Sequence, residues 1–382
     1  MRIVIAPDKF KGSLSADEVC AHLAAGISAS LPEARITTVP MADGGEGTVD
    51  AAISAGFERI TRTVTGPLGT PVRASFALHQ GSGPRPTEAV IELAAASGLL
   101  LIAAPDRRPL AAHTRGTGEL ITAALDAGAR RIVLAVGGSA STDGGTGLLS
   151  ALGVRFLDES GQPLPDGGGE LQRLHSLDWT GLDTRVRKTE FVLATDVDHT
   201  LTGPAGAAQV FAPQKGATPA EVAILELGLE RLAEVVHRSP AASPAANHAL
   251  AAGAGAAGGV GFGALAGLGA NRHPGVEVVA EVTGLAELVE HADLVITGEG
   301  SFDAQSLGGK TPVGVLRIAQ SAGVPAILVS GRNLLSAEEQ QATGFLASYA
   351  IADRDPDPQS CIANAARYLE QIGTEIGRTL AS

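Results

Sequence analysis

The chain has few cysteines and no clustered histidines. Cys20 and Cys361 are the only two cysteines in 382 residues. They are too few and too isolated for a disulfide framework or a thiolate metal site, and such scarcity fits a reducing cytosol. The nine histidines are scattered, with no pair four residues apart and no HExxH motif. The sequence therefore argues against a zinc centre.

Positive charge and long apolar runs are also scarce. The formal net charge is −13, which disfavours nucleic acid or an anionic membrane as a partner, because no basic surface would offset phosphate repulsion. The most apolar run, residues 253–270, is rich in glycine and only 18 residues long, which favours a buried helix over a membrane span. The first residues form a strand pattern and not a signal peptide. We therefore expect a soluble, cytoplasmic protein whose length suggests two domains.

Lysine is scarce relative to arginine, with only five lysines among 28 basic residues. An ammonium group is a compact point charge that fits a single phosphate oxygen, where a planar guanidinium needs more room. Lys188 is placed like an ordinary surface residue. The other four lie in turn-like segments, which favours ligand contact over chance: Lys9, Lys11, Lys215 and Lys310.

Short apolar runs alternate with amphipathic helical stretches at both ends of the chain. Residues 15–31 read as a helix in which Ser15 and Glu18 form a capping box, and a last helix is predicted at about 358–379. Alternation of this kind indicates a parallel sheet. The predicted strands of this sheet are residues 2–7, 35–42, 293–300, 325–331 and 347–353.

The middle of the chain has a different pattern. Residues 61–80 alternate between polar and apolar around GPLG, which predicts an antiparallel hairpin. Further strands are predicted at 132–138 and 191–198. Residues 239–255 have the composition of a mobile loop.

These patterns predict an α/β fold of two domains. Both termini, residues 1–63 and 285–382, are expected to form a doubly wound parallel-sheet domain. A second, mixed α/β domain, residues 64–284, is expected to be inserted between them.

Five segments rich in glycine and acidic residues each follow a strand or open a helix. They are residues 6–13, 41–48, 137–145, 195–217 and 297–312. Glycine lets backbone N–H groups approach an anion closely, and a helix N-terminus adds partial positive charge. Ligands of open parallel sheets gather at the carboxyl ends of strands, where Asp8 and Glu299 are expected. Together with the lysines, the five segments predict a site for phosphate and a metal ion.

Two common nucleotide-binding fingerprints do not fit. The GGKT run has Ala304 where the P-loop pattern requires glycine, and Pro312 follows it directly. This run reads instead as a turn with proline at the first position of a helix. A GxGxxG match begins at Gly253, but no strand precedes it as the dinucleotide fingerprint requires.

Seven motifs follow one another between residue 1 and about residue 330: APDKFKGSLSA, ADGGEGT, GGSASTDGG, DVDHTLTGPAGA, FAPQKGA, GAAGGVGFG and LVITGEGSFDAQSLGGKTP. In this order they resemble the bacterial type-1 glycerate kinase family. The resemblance implies a flavodoxin-like domain interrupted by a second α/β domain, with the active site in the cleft between them. It also implies ATP- and Mg²⁺-dependent phosphorylation of D-glycerate in the cytoplasm, usually at the 2-hydroxyl. Whether the enzyme is a monomer or a homodimer stays open.

The chain departs from the family pattern at a few positions. The family commonly reads DVDNPL where this chain has His199 and Thr200, SATNDGG where it has Ser141 and Thr142, and GEGR where it has Ser301. These changes leave the acidic residues and the lysines intact.

Phosphoryl transfer needs positive charge on the phosphates, a metal ion held by carboxylates, and a positioned hydroxyl group. Lys11, Lys215 and Lys310 are predicted to contact ATP phosphates or the substrate carboxylate, whereas Lys9 reads as a surface residue. Period-two alternation places Asp196 and Asp198 on one side of their predicted strand, where they could hold Mg²⁺ while one accepts the hydroxyl proton. The predicted catalytic residues are Asp198, Asp196, Lys11 and Asp8.

Several other acidic residues have two interpretations. Asp8, Asp43 and Glu299 are alternative bases or metal ligands, or caps of the helices that follow them. Asp143 fits substrate binding and a turn equally well. Asp303 either contacts the metal or orders its own loop.

The remaining candidates are hydroxyl and backbone N–H donors for ATP or the glycerate carboxylate. They are Ser13, Gly44, Gly45, Gly137, Gly138, Ser139, Ser141, Arg115, Gly116 and Thr117. Thr117 is equally suited to cap the helix that follows it. Alternative functions are phosphorylation at the 3-hydroxyl, a metal-dependent phosphate-ester hydrolase, and a nucleotide-binding regulator without activity.

Overall fold

The structure, a computed structural model, describes residues 1–239 and 248–381. Residues 240–247, in the first half of the loop expected over 239–255, lie outside the described part, so that expectation stays a prediction. In chain order the strands are β1 (Arg2–Ile5), β2 (Arg35–Thr38), β3 (Glu58–Thr65), β4 (Pro71–His79), β5 (Glu88–Glu92), β6 (Arg131–Ala135), β7 (Arg155–Leu157), β8 (Ser176–Asp178), β9 (Glu190–Ala194), β10 (Asn271–His273), β11 (Leu294–Phe302), β12 (Ala326–Asn333) and β13 (Ala347–Ala350).

The helices alternate with the strands over most of the chain. They are α1 (Ala16–Ser30), α2 (Thr48–Ser54), α3 (Leu93–Ser97), α4 (Arg115–Asp126), α5 (Thr146–Ala151), α6 (Ala207–Phe211), α7 (Pro219–His237), α8 (Ala256–Gly263), α9 (Gly275–Thr283), α10 (Leu285–Glu290), α11 (Thr311–Ser321), α12 (Ala337–Ala342), α13 (Pro358–Ala363) and α14 (Ala365–Ala381). Within the described ranges, none of these helices combines the length and apolar character that a membrane span requires.

The chain divides into two compact units. The first, called here the terminal unit, comprises Met1–Asp43, Asp50–Gly56 and Gly275–Ser382. The second, the inserted unit, comprises Gly44–Val49 and Phe57–Pro274.

The terminal unit contains a five-stranded parallel sheet in the order β13-β12-β11-β1-β2. Numbered within this unit, the order is that of flavodoxin, 2-1-3-4-5, so the predicted fold class is confirmed. Because side chains alternate along a strand, Ile3 and Ile5 pack on one face with α1 and α14. Val4 and Ala6 pack on the other face with α9, α10 and α11. Helices therefore cover both faces of the sheet.

The predicted start of the first helix is confirmed in detail. The Ser15 hydroxyl accepts a hydrogen bond from the Glu18 backbone N–H, and Glu18 Oε2 accepts one from the Ser15 backbone N–H at 2.8 Å. This reciprocal capping box satisfies two of the amide donors at the helix N-terminus.

The inserted unit contains a mixed six-stranded sheet in the order β10-β9-β6-β5-β4-β3. The hairpin predicted around GPLG is confirmed, since β3 and β4 pair in antiparallel register. Strands β5, β6, β9 and β10 run parallel to one another. The apolar core of this unit is centred on buried side chains such as Phe76, Leu120 and Phe191.

The glycine-rich run predicted as a buried helix is only partly helical. Helix α8 covers its centre and a π-helical turn, Ala264–Leu268, follows it. Ala257, Gly258 and Gly259 have positive φ angles of 54°, 73° and 91°, so a left-handed turn interrupts the helical path. Glycine adopts this backbone region without steric cost, whereas alanine does not.

Candidate active site

The strand order of the terminal unit reverses beside β1, and this point carries acidic residues. In doubly wound sheets ligands bind outside the carboxyl ends of the strands at such a switch point. Asp8 follows β1, and its backbone N–H donates to the Gly298 carbonyl at 2.8 Å. Glu299 lies in the carboxyl-terminal half of β11. The two carboxyl groups therefore lie at the edge of the sheet where a ligand is expected.

Asp8 is buried, with a relative exposure of 9%. Its Oδ1 accepts a hydrogen bond from the Lys9 backbone N–H at 2.7 Å, and its Oδ2 accepts one from the Thr311 hydroxyl at 3.0 Å. Burial and the nearby charge of Asp43 raise the pKa of Asp8 to about 6, because both disfavour the ionised form. Two hydrogen bonds thus hold the Asp8 carboxyl group in place, and burial brings its pKa close to neutral pH.

Glu299 is more strongly perturbed. Burial raises its pKa to about 7, and the charges of Asp8 and Asp303 add to the shift while Ser306 and Lys310 oppose it. Its Oε1 atom is buried and has no hydrogen-bond partner among the described residues. A buried carboxyl oxygen without a partner is costly, so this atom is suited to accept a proton or hydrogen bond from a ligand.

Basic groups surround these carboxyl groups. Lys310 is the N-cap residue of α11, and its charge is close enough to lower the pKa of Glu299. The charge of Lys9 likewise lowers the pKa of Asp8. Lys11 is exposed in the turn that follows β1. A helix N-terminus with lysines beside it is an arrangement that binds phosphate.

Asp303 orders its own loop. Its Oδ1 accepts hydrogen bonds from the backbone N–H groups of Gln305 at 2.9 Å and Ser306 at 3.2 Å. These bonds shape the turn that leads to Lys310. Of the two interpretations of Asp303, the structure favours loop ordering.

In the inserted unit, two glycine loops pack backbone against backbone. A Cβ atom on Gly137 would lie 2.8 Å from the Cα of Gly45, which is too close for any side chain. Glu92, at the end of β5, anchors the first loop, since its Oε1 accepts hydrogen bonds from the Gly47 and Val49 N–H groups at 3.0 and 2.7 Å. Gly44 lies buried in the same loop. The backbone there is fixed by neighbours on both sides.

Ser139 and Ser141 lie in the second loop, directly after β6. The Ser139 hydroxyl oxygen accepts a hydrogen bond from the Ser141 backbone N–H, and the two hydroxyl groups are 3.1 Å apart. Both residues are buried, whereas Gly137 and Gly138 before them are exposed. These two glycines are therefore the accessible part of this loop.

Asp143 is fully buried and bound entirely to protein groups. It accepts hydrogen bonds from the Thr114 N–H at 2.9 Å, the Thr114 hydroxyl at 2.7 Å, and the Gly145 and Gly147 N–H groups at 3.2 Å. These contacts join the starts of α4 and α5. Of its two interpretations, the structure favours the turn residue over the substrate ligand.

Replacing Asp143 with asparagine is expected to lower the free energy of unfolding by about 2–4 kcal/mol, because an NH₂ group would face buried N–H donors. Urea denaturation of the variant and of an Asp106→Asn control, in which the changed residue is exposed, measures the effect. Equal stability of the two variants would contradict this interpretation of Asp143.

Lys215 is also buried, at 3% exposure. Its ammonium group donates to the Ser141 carbonyl. Burial lowers its pKa to about 7, against an opposing effect of the Asp143 charge. In this conformation the Lys215 side chain does not reach solvent.

Asp196 and Asp198 lie in a loop and not on a strand, because β9 ends at Ala194. In the segment directly after β9, the Thr195 hydroxyl accepts a hydrogen bond from the Val197 N–H at 3.2 Å. Both aspartates are exposed, and Asp198 forms an ion pair with Arg272. Strand alternation therefore does not apply to them.

Two further candidates are engaged by protein groups. The Ser13 hydroxyl donates to the Ile362 carbonyl at 2.9 Å. Thr117 is buried in the first turn of α4, 2.8 Å from the Ser97 hydroxyl. The N-cap of α4 is Thr114 and not Thr117.

Arg115 and Gly116 open α4 in the same region. The Arg115 Nε and Nη2 atoms donate to Asp166 at 2.5 and 3.0 Å. Gly116 lies under the hairpin, where a Cβ atom would be 1.9 Å from the Thr65 carbonyl oxygen. The contacts of both residues support the structure around the helix start.

Comparison with known proteins identifies the family of this chain. Residues 3–381 match the model of the glycerate kinase family. The chain belongs to the glycerate kinase family. It is 43% identical to the glycerate kinase of Bacillus subtilis (strain 168) over 381 residues, which cover 100% of this chain and 98% of that one. It is 45% identical to the glycerate 2-kinase of Escherichia coli (strain K12) over 336 residues, 87% of this chain and 85% of that one.

A solved structure gives the same result. The crystal structure assigned to glycerate kinase 2 of Salmonella typhimurium LT2 is 40% identical in sequence, with a TM-score of 0.86, and covers 100% of this chain and 98% of its own. The predicted family resemblance is therefore confirmed, and with it the prediction that this chain is a kinase.

Sequence reasoning missed two residues that shape the candidate site of this glycerate kinase family member. Glu92 could have been found, since it ends the strand-like run EAVIE before a helix. Arg332 follows the predicted strand PAILVSG, and its Nε donates to the Ser301 hydroxyl on β11 at 3.0 Å. Both lie at carboxyl ends of parallel strands, the positions where functional residues are expected.

Proposed function

We propose that this chain is an ATP-dependent kinase that transfers the γ-phosphoryl group to the 2-hydroxyl of D-glycerate. The main support is the cluster at the switch point, where carboxyl groups of raised pKa lie beside a lysine at a helix N-terminus. Membership of the glycerate kinase family supplies the substrate class. Phosphoryl transfer needs little more than charge stabilisation and positioning, and the cluster offers both.

The phosphates of ATP are assigned to the basic side of this cluster. Lys310 and the N-terminal end of α11, where Pro312 itself has no N–H group, present positive charge from one direction. Lys9 and the exposed Lys11 add charge from the turn after β1. Ammonium groups suit this task because each can follow a different phosphate oxygen as charge moves during transfer.

Glu299 is assigned as the general base. Its pKa of about 7 leaves a large fraction ionised at neutral pH, and proton transfer is most efficient when the pKa of the base lies near the working pH. Its Oε1 atom, which is buried and has no hydrogen-bond partner among the described residues, is assigned to accept the hydroxyl hydrogen. Asp8 raises the pKa of Glu299 and is itself held by Lys9 and Thr311, so its role is to tune the base.

Asp196 and Asp198 remain the proposed carboxylates for Mg²⁺. Among the described residues no group of three His, Cys, Asp or Glu side chains could hold a metal ion. Mg²⁺ commonly binds through one or two carboxylates, waters and the phosphates of its nucleotide, so these residues fit an ion that arrives with ATP. Arg272 would then release Asp198. When bound, Mg²⁺ neutralises charge on the β- and γ-phosphates.

The glycerate carboxylate is assigned to the exposed amides of Gly137 and Gly138, with Ser139 beside them. Transfer to the 2-hydroxyl is favoured over the 3-hydroxyl by the similarity to the glycerate 2-kinase of Escherichia coli.

The product decides between these functions. Phosphorus NMR of a reaction with ATP, Mg²⁺ and D-glycerate is expected to show 2-phosphoglycerate and ADP, with no phosphate released when glycerate is left out. Formation of 3-phosphoglycerate would overturn the assigned position. Glycerate-independent phosphate release would favour a hydrolase, and ATP binding without any product would favour a regulator.

A further inference from the structure

Lys215 is a charged residue whose burial the proposed chemistry does not explain. It ends a short 3₁₀ turn, Pro213–Lys215, in the inserted unit, and Gly216 follows with a φ of 96°. The ammonium group is enclosed by protein and donates to the Ser141 carbonyl. A phosphate-binding lysine is usually exposed to its ligand, whereas Lys215 is only 3% exposed and its ammonium group already donates to a protein carbonyl.

The ammonium group lies where two loops meet. A Cβ atom on Gly258 would be 2.8 Å from Lys215 Nζ and 2.1 Å from the Ser141 carbonyl oxygen. The Gly144 N–H donates to the Gly258 carbonyl at 3.0 Å. The left-handed turn 257–259 therefore packs directly against the loop that contains Ser141. The Lys215 ammonium group lies between this turn and the Ser141 loop. Position 258 has no room for a side chain larger than a hydrogen atom.

The left-handed turn needs support from its surroundings. Ala257, at φ 54°, is the one non-glycine residue with positive φ in the described ranges 1–239 and 248–381. Such a conformation persists only where neighbouring contacts over-determine it. The hydrogen bond from Gly144 and the packing around Lys215 provide those contacts.

A buried ammonium group is an expensive way to fill space. Burial disfavours its charged form, while Asp143 favours it. Replacing a buried charge by an apolar side chain of similar size is often neutral or stabilising, so packing alone does not require lysine here. Holding the Ser141 carbonyl in one conformation does require a hydrogen-bond donor, and the long, narrow lysine side chain supplies one.

We propose that Lys215 is a positioning residue that holds the loop of Gly137, Gly138, Ser139 and Ser141 in its substrate-binding conformation through the Ser141 carbonyl. It does so without contact to ATP. This inference rests on the proposed function in one respect, that the loop binds the glycerate carboxylate.

The first test separates the two substrates. In Lys215→Met the KM for D-glycerate is expected to rise by about tenfold or more, because small displacements of binding groups have large kinetic effects. The KM for ATP is expected to stay within about twofold of the wild type. Lys188→Met, a change of an exposed lysine in the same unit, is the matched control. A rise in the KM for ATP with an unchanged KM for glycerate would overturn the proposal.

The second test needs no activity. The unfolded-state pKa of lysine is near its ordinary value of 10.5, and the folded value is about 7. The unfolded chain therefore binds more protons between these values, so the free energy of unfolding rises with pH across this window. Two other charged groups lie near Lys215. Asp143 acts on its pKa, and Arg107 donates a hydrogen bond to the carbonyl of the preceding residue, Gln214.

Urea denaturation of the wild type and both variants from pH 7 to pH 10 measures this slope. The free energy of unfolding of Lys188→Met is expected to rise with pH as in the wild type. In Lys215→Met this rise is expected to be smaller, because the contribution of Lys215 is gone. Identical slopes in the two variants would show that Lys215 titrates like a surface residue and would overturn the proposal. If Lys215→Met does not fold, a flat wild-type profile overturns it and a rising one supports it. These outcomes stand even if glycerate is not the substrate.

Discussion

Replacing Glu299 with glutamine is expected to lower kcat by about 10²–10⁴-fold, the usual contribution of a general base. Glutamine has nearly the same shape but cannot accept the hydroxyl proton. The Oε1 atom of the native residue, which has no hydrogen-bond partner in the described part of the chain, is the atom whose function would be lost. The matched control is Glu290→Gln, an exposed glutamate on α10 of the same unit. Steady-state kinetics of both variants with D-glycerate and ATP measures the difference.

The same substitution is expected to make the protein more stable at neutral pH. Burial raises the pKa of Glu299 from 4.5 to about 7, so the folded state binds more protons than the unfolded state between these values. The wild type therefore loses stability as pH rises through this window. Glutamine removes this loss in the free energy of unfolding, which is on the order of 2 kcal/mol at pH 7. Near pH 4 the variant and the wild type should be equally stable.

Together these two results distinguish a base from a structural residue. A structural glutamate would lose stability on replacement, and its kinetic defect would follow from misfolding. A variant that is inactive and yet unfolds at higher urea concentration than the wild type would exclude that explanation. Activity within a few-fold of the wild type would show that Glu299 is not the base.

Replacing Lys310 with methionine is expected to lower kcat/KM for ATP by about 10²–10³-fold, as for the loss of one charged group that stabilises the transition state. Methionine keeps most of the side-chain length but removes the charge at the N-terminus of α11. The remaining helix N–H groups should preserve weak binding. Lys188→Met is the control for the loss of a lysine at an exposed site.

Lys310 has a second expected effect, on Glu299. Its charge lowers the pKa of that carboxyl group, so its removal should raise the pKa further. The acid limb of the pH–rate profile of Lys310→Met should then move to higher pH than in the wild type. A variant with a wild-type KM for ATP and an unmoved acid limb would contradict the assigned position of Lys310 in the site.

The order of the terminal sheet could be predicted because its signals are local. Buried strand runs, helix caps and the positions of acids after strands are all visible within a few residues of sequence. The capping box of Ser15 and Glu18 and the location of Asp8 and Glu299 follow from such signals.

The sequence could not show contacts between distant parts of the chain. The sequence left Asp143 open between a ligand and a turn residue, because Thr114, which binds its carboxyl group, lies 29 residues earlier. Lys215 in a glycine-bounded turn gives no sign of burial, because the residues that enclose it lie near Ser141 and Gly258. Period-two alternation misplaced Asp198 because nothing in the sequence shows that β9 ends at Ala194.

The pH dependence of kcat/KM for D-glycerate tests most directly whether a carboxyl group of raised pKa accepts the proton. Between pH 5 and pH 9 the wild type is expected to lose activity below an apparent pKa of 6–7, about tenfold for each further pH unit. The residual activity of Glu299→Gln should not fall in this way at acid pH. Titration of ATP affects both proteins equally, so a difference between their profiles comes from Glu299. The same acid limb in both proteins, or a flat wild-type profile down to pH 5, would contradict the account.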